Sequence, residues 1–311
     1  SRKRTRPSRQ VVSSRGTEIR RAGSPTTTGR DVVAGMRDNA TLADGVTDTG
    51  PETPRLSITE VGRDFHTRNG VTHAVVGIDL SIRRGEFVAL IGRSGCGKTT
   101  MLRMIGGLLP PTAGTIEVDG KSLWRDGRVD ATAVTKLGVV FQEANLFPWF
   151  PVIDNIALPL KLRGVGKKER RARAGELAEL VGLTGFERSY PRELSGGMRQ
   201  RAAIARALST EPDLLLMDEP FGALDALTRE RMNLELQRIV LETSSTVVFV
   251  THDIPEAVFL SDRVAQMTPR PGRINKILPV DFDKPRHVDL QTTPEFNEIV
   301  RSLRHELDEE E

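Results

Sequence analysis

The sequence predicts an α/β fold built on a mostly parallel core sheet, and three observations predict it. Four short runs, Phe87–Ile91, Leu137–Phe141, Leu214–Met217 and Val247–Val250, are apolar at consecutive positions, as strands covered on both faces must be. Helical patterns are interleaved with them, which is how parallel strands are connected. A glycine-rich stretch, Gly92–Thr99, joins the first run to a helical segment over Lys98–Ile105.

The remaining elements follow in chain order. Residues 1–55 read as a disordered basic tail, rich in Arg, Ser, Thr, Gly and Pro, with apolar residues single or in Val-Val pairs that follow no period. That composition also suits an organellar transit peptide, but no amphipathic period supports one. Globular pattern begins near Leu56, and residues 56–285 form the predicted main domain. Alternation around Thr115–Val118, closed by Asp119-Gly120, predicts an antiparallel edge hairpin. Lys167–Val181 predicts a helix with Ala174, Leu177, Leu180 and Val181 inward and five basic residues in solvent. Residues 286–311 form a C-terminal helical extension, in which Phe296, Ile299, Val300, Leu303 and Leu307 recur at helical spacing behind Thr293-Pro294.

Composition excludes several classes. Of 311 residues 38% are apolar, mean hydropathy is −0.31, and no apolar run approaches the length of a membrane-spanning helix. The single cysteine, Cys96, forms no intrachain disulfide and no Cys-rich zinc site, which favours a reducing compartment. The net charge of +3 and the isoelectric point near 9.2 are misleading. Residues 1–30 hold nine Lys/Arg against the single acid Glu18, leaving 36 basic and 41 acidic residues elsewhere. The main domain is therefore mildly acidic.

Gly92-Arg-Ser-Gly-Cys-Gly-Lys-Thr99 fits the phosphate-loop pattern G-x-x-x-x-G-K-[ST], and its strand-in, helix-out setting is the one that pattern requires. Gly92, Gly95 and Gly97 let the backbone turn its N–H groups inward around phosphate oxygens, and the helix start adds partial positive charge. Lys98 reaches the β- and γ-phosphates, and Thr99 offers a hydroxyl to Mg²⁺. Arg93, Ser94, Cys96 and Thr100 complete the predicted loop and helix start. A carboxylate should then follow an apolar strand, and Leu214–Met217 runs into Asp218 and Glu219. Asp218 is the predicted magnesium ligand and Glu219 the general base for an attacking water. Together these motifs predict a P-loop nucleoside triphosphatase that uses Mg²⁺.

Leu194-Ser-Gly-Gly-Met-Arg-Gln200 resembles the signature of ATP-binding cassette (ABC) ATPases, and other elements fall in that family's order. Gln142 resembles the Q-loop, Ala223-Leu224-Asp225 the D-loop and His252 the switch histidine. Taken alone, Ser195-Gly196-Gly197 opens a helical run over Arg201–Leu208; Ser195 serves as an N-cap or donates its hydroxyl to a phosphate. The resemblance implies a helical signature subdomain and a head-to-tail homodimer in which Ser195, Gly196, Gly197 and Asp225 act across the interface. It also implies that His252 contacts the γ-phosphate and holds the water with Glu219, while Gln142 touches Mg²⁺ or that water. An aromatic preceding the phosphate loop stacks on adenine in this family. The only tyrosine, Tyr190, lies near the signature, so Phe65 takes that role, with a core position as its alternative.

The 53-residue separation of Gln142 and Ser195 leaves no room for a long coiled-coil arm, and one cysteine excludes the zinc-bearing repair type. Leu146-Phe-Pro-Trp149 and Pro269-Arg-Pro-Gly-Arg273 resemble the nitrate, taurine and aliphatic-sulfonate importer branch. That likeness implies a peripheral motor at the cytoplasmic face of the cell membrane. Its partners would be integral-membrane permease subunits and, indirectly, an extracytoplasmic solute-binding protein, with no nucleic acid. Phe147, Trp149 and Phe150 are then permease contacts, or else core. The competing expectation is a soluble ABC ATPase acting on nucleic acid through its basic tail.

Overall fold

The computed structural model describes residues 53–67, 70–222 and 224–309. All but the last three residues of the predicted tail, and Ala223 of the predicted D-loop, lie outside the described residues.

The described residues open with two long antiparallel strands, β1 (Leu56–Thr67) and β2 (Gly70–Ile82), and then enter β3 (Phe87–Gly92). Helix α1 (Lys98–Ile105) follows, then β4 (Ala113–Val118) and β5 (Lys121–Ser122). Asp119 and Gly120 between them both adopt positive φ (51° and 70°), the conformation of the tight hairpin the sequence predicts. A two-stranded ribbon, β6 (Trp124–Arg125) and β7 (Arg128–Val129), and the short α2 (Ala131–Val134) lead into β8 (Leu137–Val140). Three helices come next: α3 (Val152–Leu162), α4 (Lys167–Leu180) and α5 (Gly196–Leu208). The rest alternates as β9 (Leu214–Asp218), α6 (Ala226–Thr243), β10 (Thr246–Val250), α7 (Ile254–Leu260), β11 (Arg263–Met267), β12 (Ile274–Pro279) and α8 (Pro294–Glu309).

The core sheet has the strand order β12-β11-β3-β10-β9-β8, with every neighbouring pair parallel except β11–β12. A second sheet, β2-β1-β4-β5, is antiparallel. All six residues of β3 are buried, and the first five alternate between two apolar clusters. Phe87, Ala89 and Ile91 face the helices, while Val88 and Leu90 face α1 and the antiparallel sheet. This two-sided burial is why the parallel strands read as unbroken apolar runs.

One predicted helix starts earlier than expected, and one strand was not read from the sequence. Helix α5 starts at Gly196, five residues before the predicted Arg201, because the Ser195 side chain caps it by accepting from Met198 N at 3.3 Å. A fifth parallel strand, β11, carries no apolar run, because Arg263 begins it and the fully buried Gln266 interrupts it. Its partner β12 likewise alternates too weakly to be legible.

The C-terminal segment packs into the helical side of the core. Phe296, Val300 and Leu303 of α8 are buried in the same cluster as α5 and β9, of order 6 kcal/mol of gross apolar burial. Arg286 holds its start. The buried guanidinium donates to the carbonyls of Val258, Phe259 and Ser261 at 2.8–3.1 Å and to those of Val280 and Phe282 at 3.0–3.2 Å. Its backbone exchanges hydrogen bonds with the Gln237 amide of α6. No helix among the described residues is long and apolar enough to cross a membrane.

Candidate nucleotide site

The carboxyl ends of β3, β9 and β10 deliver the predicted residues to one edge of the core sheet, where ligands of open α/β sheets bind. The loop leaving β3 takes positive φ at Gly92, Gly95 and Gly97 (155°, 82° and 109°). Gly97 is obligatory for space as well as conformation: a Cβ there would lie 2.4 Å from Val75 Cγ1. Lys98, next in the chain, is buried, and its ammonium donates to Gly92 O (2.6 Å) and Arg93 O (3.1 Å). Cys96 is buried beneath the loop, its sulfur 3.9 Å from that ammonium.

A cavity of about 410 Å³ brings together Phe65, Ser94, Gly95, Gly97, Lys98, Thr99, Thr100, Gln142 and Glu219. Thr72, Ala74 and Arg270 also line it, and none of these three was expected from sequence. Phe65 carries the Arg63 guanidinium 4.9 Å over its ring; it is half-buried rather than a core residue. Arg270 does have a signal in the sequence, the Pro269–Arg273 segment, but its distance from the phosphate loop in the chain conceals its position.

Below this cavity the Thr99 hydroxyl donates to Asp218 Oδ1 at 3.0 Å. Burial pushes the Asp218 carboxyl above the usual range, and the neighbouring Glu219 charge adds to that; the Thr99 hydroxyl, Arg103 and Lys98 act against it. The hydroxyl and the carboxylate are hard oxygen donors on adjoining elements, a set that suits Mg²⁺, which takes one or two protein oxygens beside phosphate and water. No group of three or more acidic, His or Cys residues among the described residues suggests a different metal.

Glu219 is held in the left-handed region, at φ 42°, with its N–H on Val250 O at 2.9 Å. Its Oε2 lies 3.1 Å from His252 Nδ1 at the end of β10. A second network steadies this histidine's loop. The Thr251 hydroxyl donates to the buried Glu256, Asp253 N donates to that hydroxyl, and Arg229 joins Asp253 Oδ2 (2.9 Å) to Leu224 O (3.0 Å). The switch loop and the residues before Asp225 are thereby tied together. Asp225 caps α6, and the hydroxyl and N–H of Thr228 hold its carboxyl below the usual range.

Ser195, Gly196 and Gly197 do not line this cavity. Gly196 instead borders a neighbouring groove of about 440 Å³, lined also by Gln142, Arg199, Pro220 and Leu224. A larger cavity, about 580 Å³ between α4, β9 and the end of α6, contains none of the predicted residues. Phe147 and Trp149 are exposed at 37% and 65%, so Trp149 is not core; with Phe150 they form a ring cluster whose centroids lie 5.5–6.2 Å apart. Asn155 fixes the loop beneath, accepting from Phe147 N and donating to Phe147 O, Phe150 O and Pro151 O.

Comparison with known proteins places this geometry. Residues 75–222 match the family described as ABC transporter. The chain is 47% identical over 247 residues to the taurine import ATP-binding protein TauB of Rhizobium johnstonii, covering 77% of this chain and 91% of that protein. It is 43% identical over 265 residues to the nitrate import ATP-binding protein NrtD of Synechocystis, covering 82% and 97%. Among solved structures, the dimeric ATP-binding cassette MJ0796 in a post-hydrolysis state bound to ADP and Pi matches with a TM-score of 0.64 at 34% identity. That match covers 73% of this chain and all of the cassette.

Proposed function

This chain belongs to the ABC transporter family, and on that premise we propose that it is the ATP-hydrolysing motor of an importer for a small anion of the nitrate, taurine or sulfonate type. The observation that carries the reading is the pairing of Thr99 with Asp218 at 3.0 Å and of Glu219 with His252 at 3.1 Å around one phosphate-loop cavity. The relatives are named as taurine and nitrate import ATP-binding proteins, which supports the transport role and a small solute carrying an oxoanion group.

In this reading Phe65 stacks on adenine, and the N–H groups of residues 94–100 with Lys98 surround the phosphates. Thr99, Asp218 and Gln142 would hold Mg²⁺, which when bound neutralises charge on the β- and γ-phosphate oxygens. Glu219 accepts a proton from the attacking water, and His252 fixes the orientation of its carboxylate. Ser195, Gly196 and Gly197, at the free N-terminus of α5, cap the nucleotide of a second copy, and Asp225 meets that copy at the interface. The exposed Phe147–Phe150 cluster docks on an integral-membrane permease at the cytoplasmic face. The solute-binding protein acts through the permease, and nucleic acid has no part.

The test is reconstitution in proteoliposomes with an importer permease of the nitrate, taurine or sulfonate type and its solute-binding protein. Hydrolysis should rise when nitrate, taurine or an alkanesulfonate is supplied. Hydrolysis indifferent to every permease and solute, but stimulated by DNA, would overturn the proposal.

A further inference from the structure

The segment following β11 is built against the phosphate loop. Thr268 N donates to Arg273 O (2.9 Å) and Arg273 N to Thr268 Oγ1 (3.0 Å), closing a tight loop. Gly272 N donates to Ala74 O and Val76 N to Gly272 O, both at 3.0 Å, fastening that loop to β2. Gly272 also presses on the phosphate loop, so closely that a Cβ there would sit 2.0 Å from Cys96 O. Arg270, at the tip of this anchored loop, is exposed and lines the nucleotide cavity. Its Nη2 makes one hydrogen bond among the described residues, to Gly95 O at 3.2 Å.

The hydrogen bond to Gly95 O indicates which part of the ligand Arg270 meets. Gly95 belongs to the loop that encloses phosphate oxygens, and Arg270 lines the same cavity as that loop. A neutral carbonyl at 3.2 Å is a weak acceptor for a guanidinium, whereas an anionic phosphate oxygen is a strong one and fits its planar fork. The anchoring through Gly272 presents the guanidinium without a folding step on binding.

We propose that Arg270 is a nucleotide-binding residue of this chain, a second cation beside Lys98 that exchanges Gly95 O for oxygens of the phosphate chain. The inference rests on the nucleotide reading of the cavity. In the full-length chain, R270A should lower affinity for ATP and for inorganic tripolyphosphate alike, by roughly ten- to a hundredfold, the range of charge-assisted hydrogen bonds. The fall of tripolyphosphate affinity with added salt should also be shallower in R270A, because one cation has left the contact. An arginine that only shaped the loop would lower affinity while leaving the salt slope unchanged, and that outcome would overturn the proposal. Unchanged tripolyphosphate affinity would overturn it too. K98A run alongside separates the two readings: if it binds normally as well, the site assignment has failed, and if it alone is impaired, only the role of Arg270 has.

Discussion

Replacing Glu256 with Gln should flatten the dependence of folding stability on pH, and the size of that change follows from the surroundings of this carboxyl. Glu256 lies in α7 at 5% exposure, its Oε2 accepting from the Thr251 hydroxyl and its Oε1 buried without a partner among the described residues. Burial raises its pKa to about 7; the charges of Asp253 and Glu219 push the same way, while the Thr251 hydroxyl and Arg229 oppose them. Between about pH 4.5 and 7 the native chain therefore holds a proton that the unfolded chain has released. Fewer protons bound in the unfolded state means that stability falls as pH rises through this window. At about 1.36 kcal/mol per pKa unit, the loss from pH 5 to pH 8 amounts to roughly 2–3 kcal/mol from this residue. Gln keeps an oxygen for Thr251 but cannot ionise. Its amide protons carry their own desolvation cost, so the slope rather than the absolute stability is the measurement. Urea unfolding of wild type and E256Q at pH 5, 6, 7 and 8 would give it, and an identical slope in both proteins would refute the reasoning.

Three further outcomes are expected. E219Q should reduce ATP hydrolysis by about 10²–10⁴ while ATP binding, measured by titration, is retained; undiminished turnover would remove Glu219 as the base. R286M should lower unfolding free energy by about 4 kcal/mol, read as a shift in the urea midpoint, because it strips buried carbonyls of α7 and the β12 exit of their donors. W149A should leave hydrolysis by the isolated subunit intact yet weaken its copurification with the permease by about tenfold or more, as loss of an exposed aromatic anchor does.

What the sequence disclosed depended on how far apart the cooperating residues lie. The phosphate loop was legible because its strand, turn and helix are contiguous and each residue type has a local reason. The parallel strands were legible because burial on both faces leaves only apolar residues. By contrast, α6 buries Asn233 and Gln237 on its inner face, which breaks the helical period that would have announced it. Gln237 is tolerated there because its partner is the backbone of Arg286, 49 residues onward. Arg270 and the bridge from Arg229 to Asp253 were hidden for the same reason: the loops they join are adjacent only after folding. Trp149 was readable as an unusual aromatic, but only its 65% exposure excludes a core position.

The cap on α5 bears on how two cassettes can meet. Ser195 Oγ accepts from Met198 N, which occupies one of the oxygen's lone pairs and leaves the hydroxyl proton without an acceptor among the described residues. N-cap and phosphate donor are thus not rival roles for this side chain. The same hydroxyl can brace its own helix and point its proton at an anion carried by a second molecule, with no bond broken on approach. On the proposed head-to-tail reading, docking and separation of the two copies would leave the α5 start capped throughout.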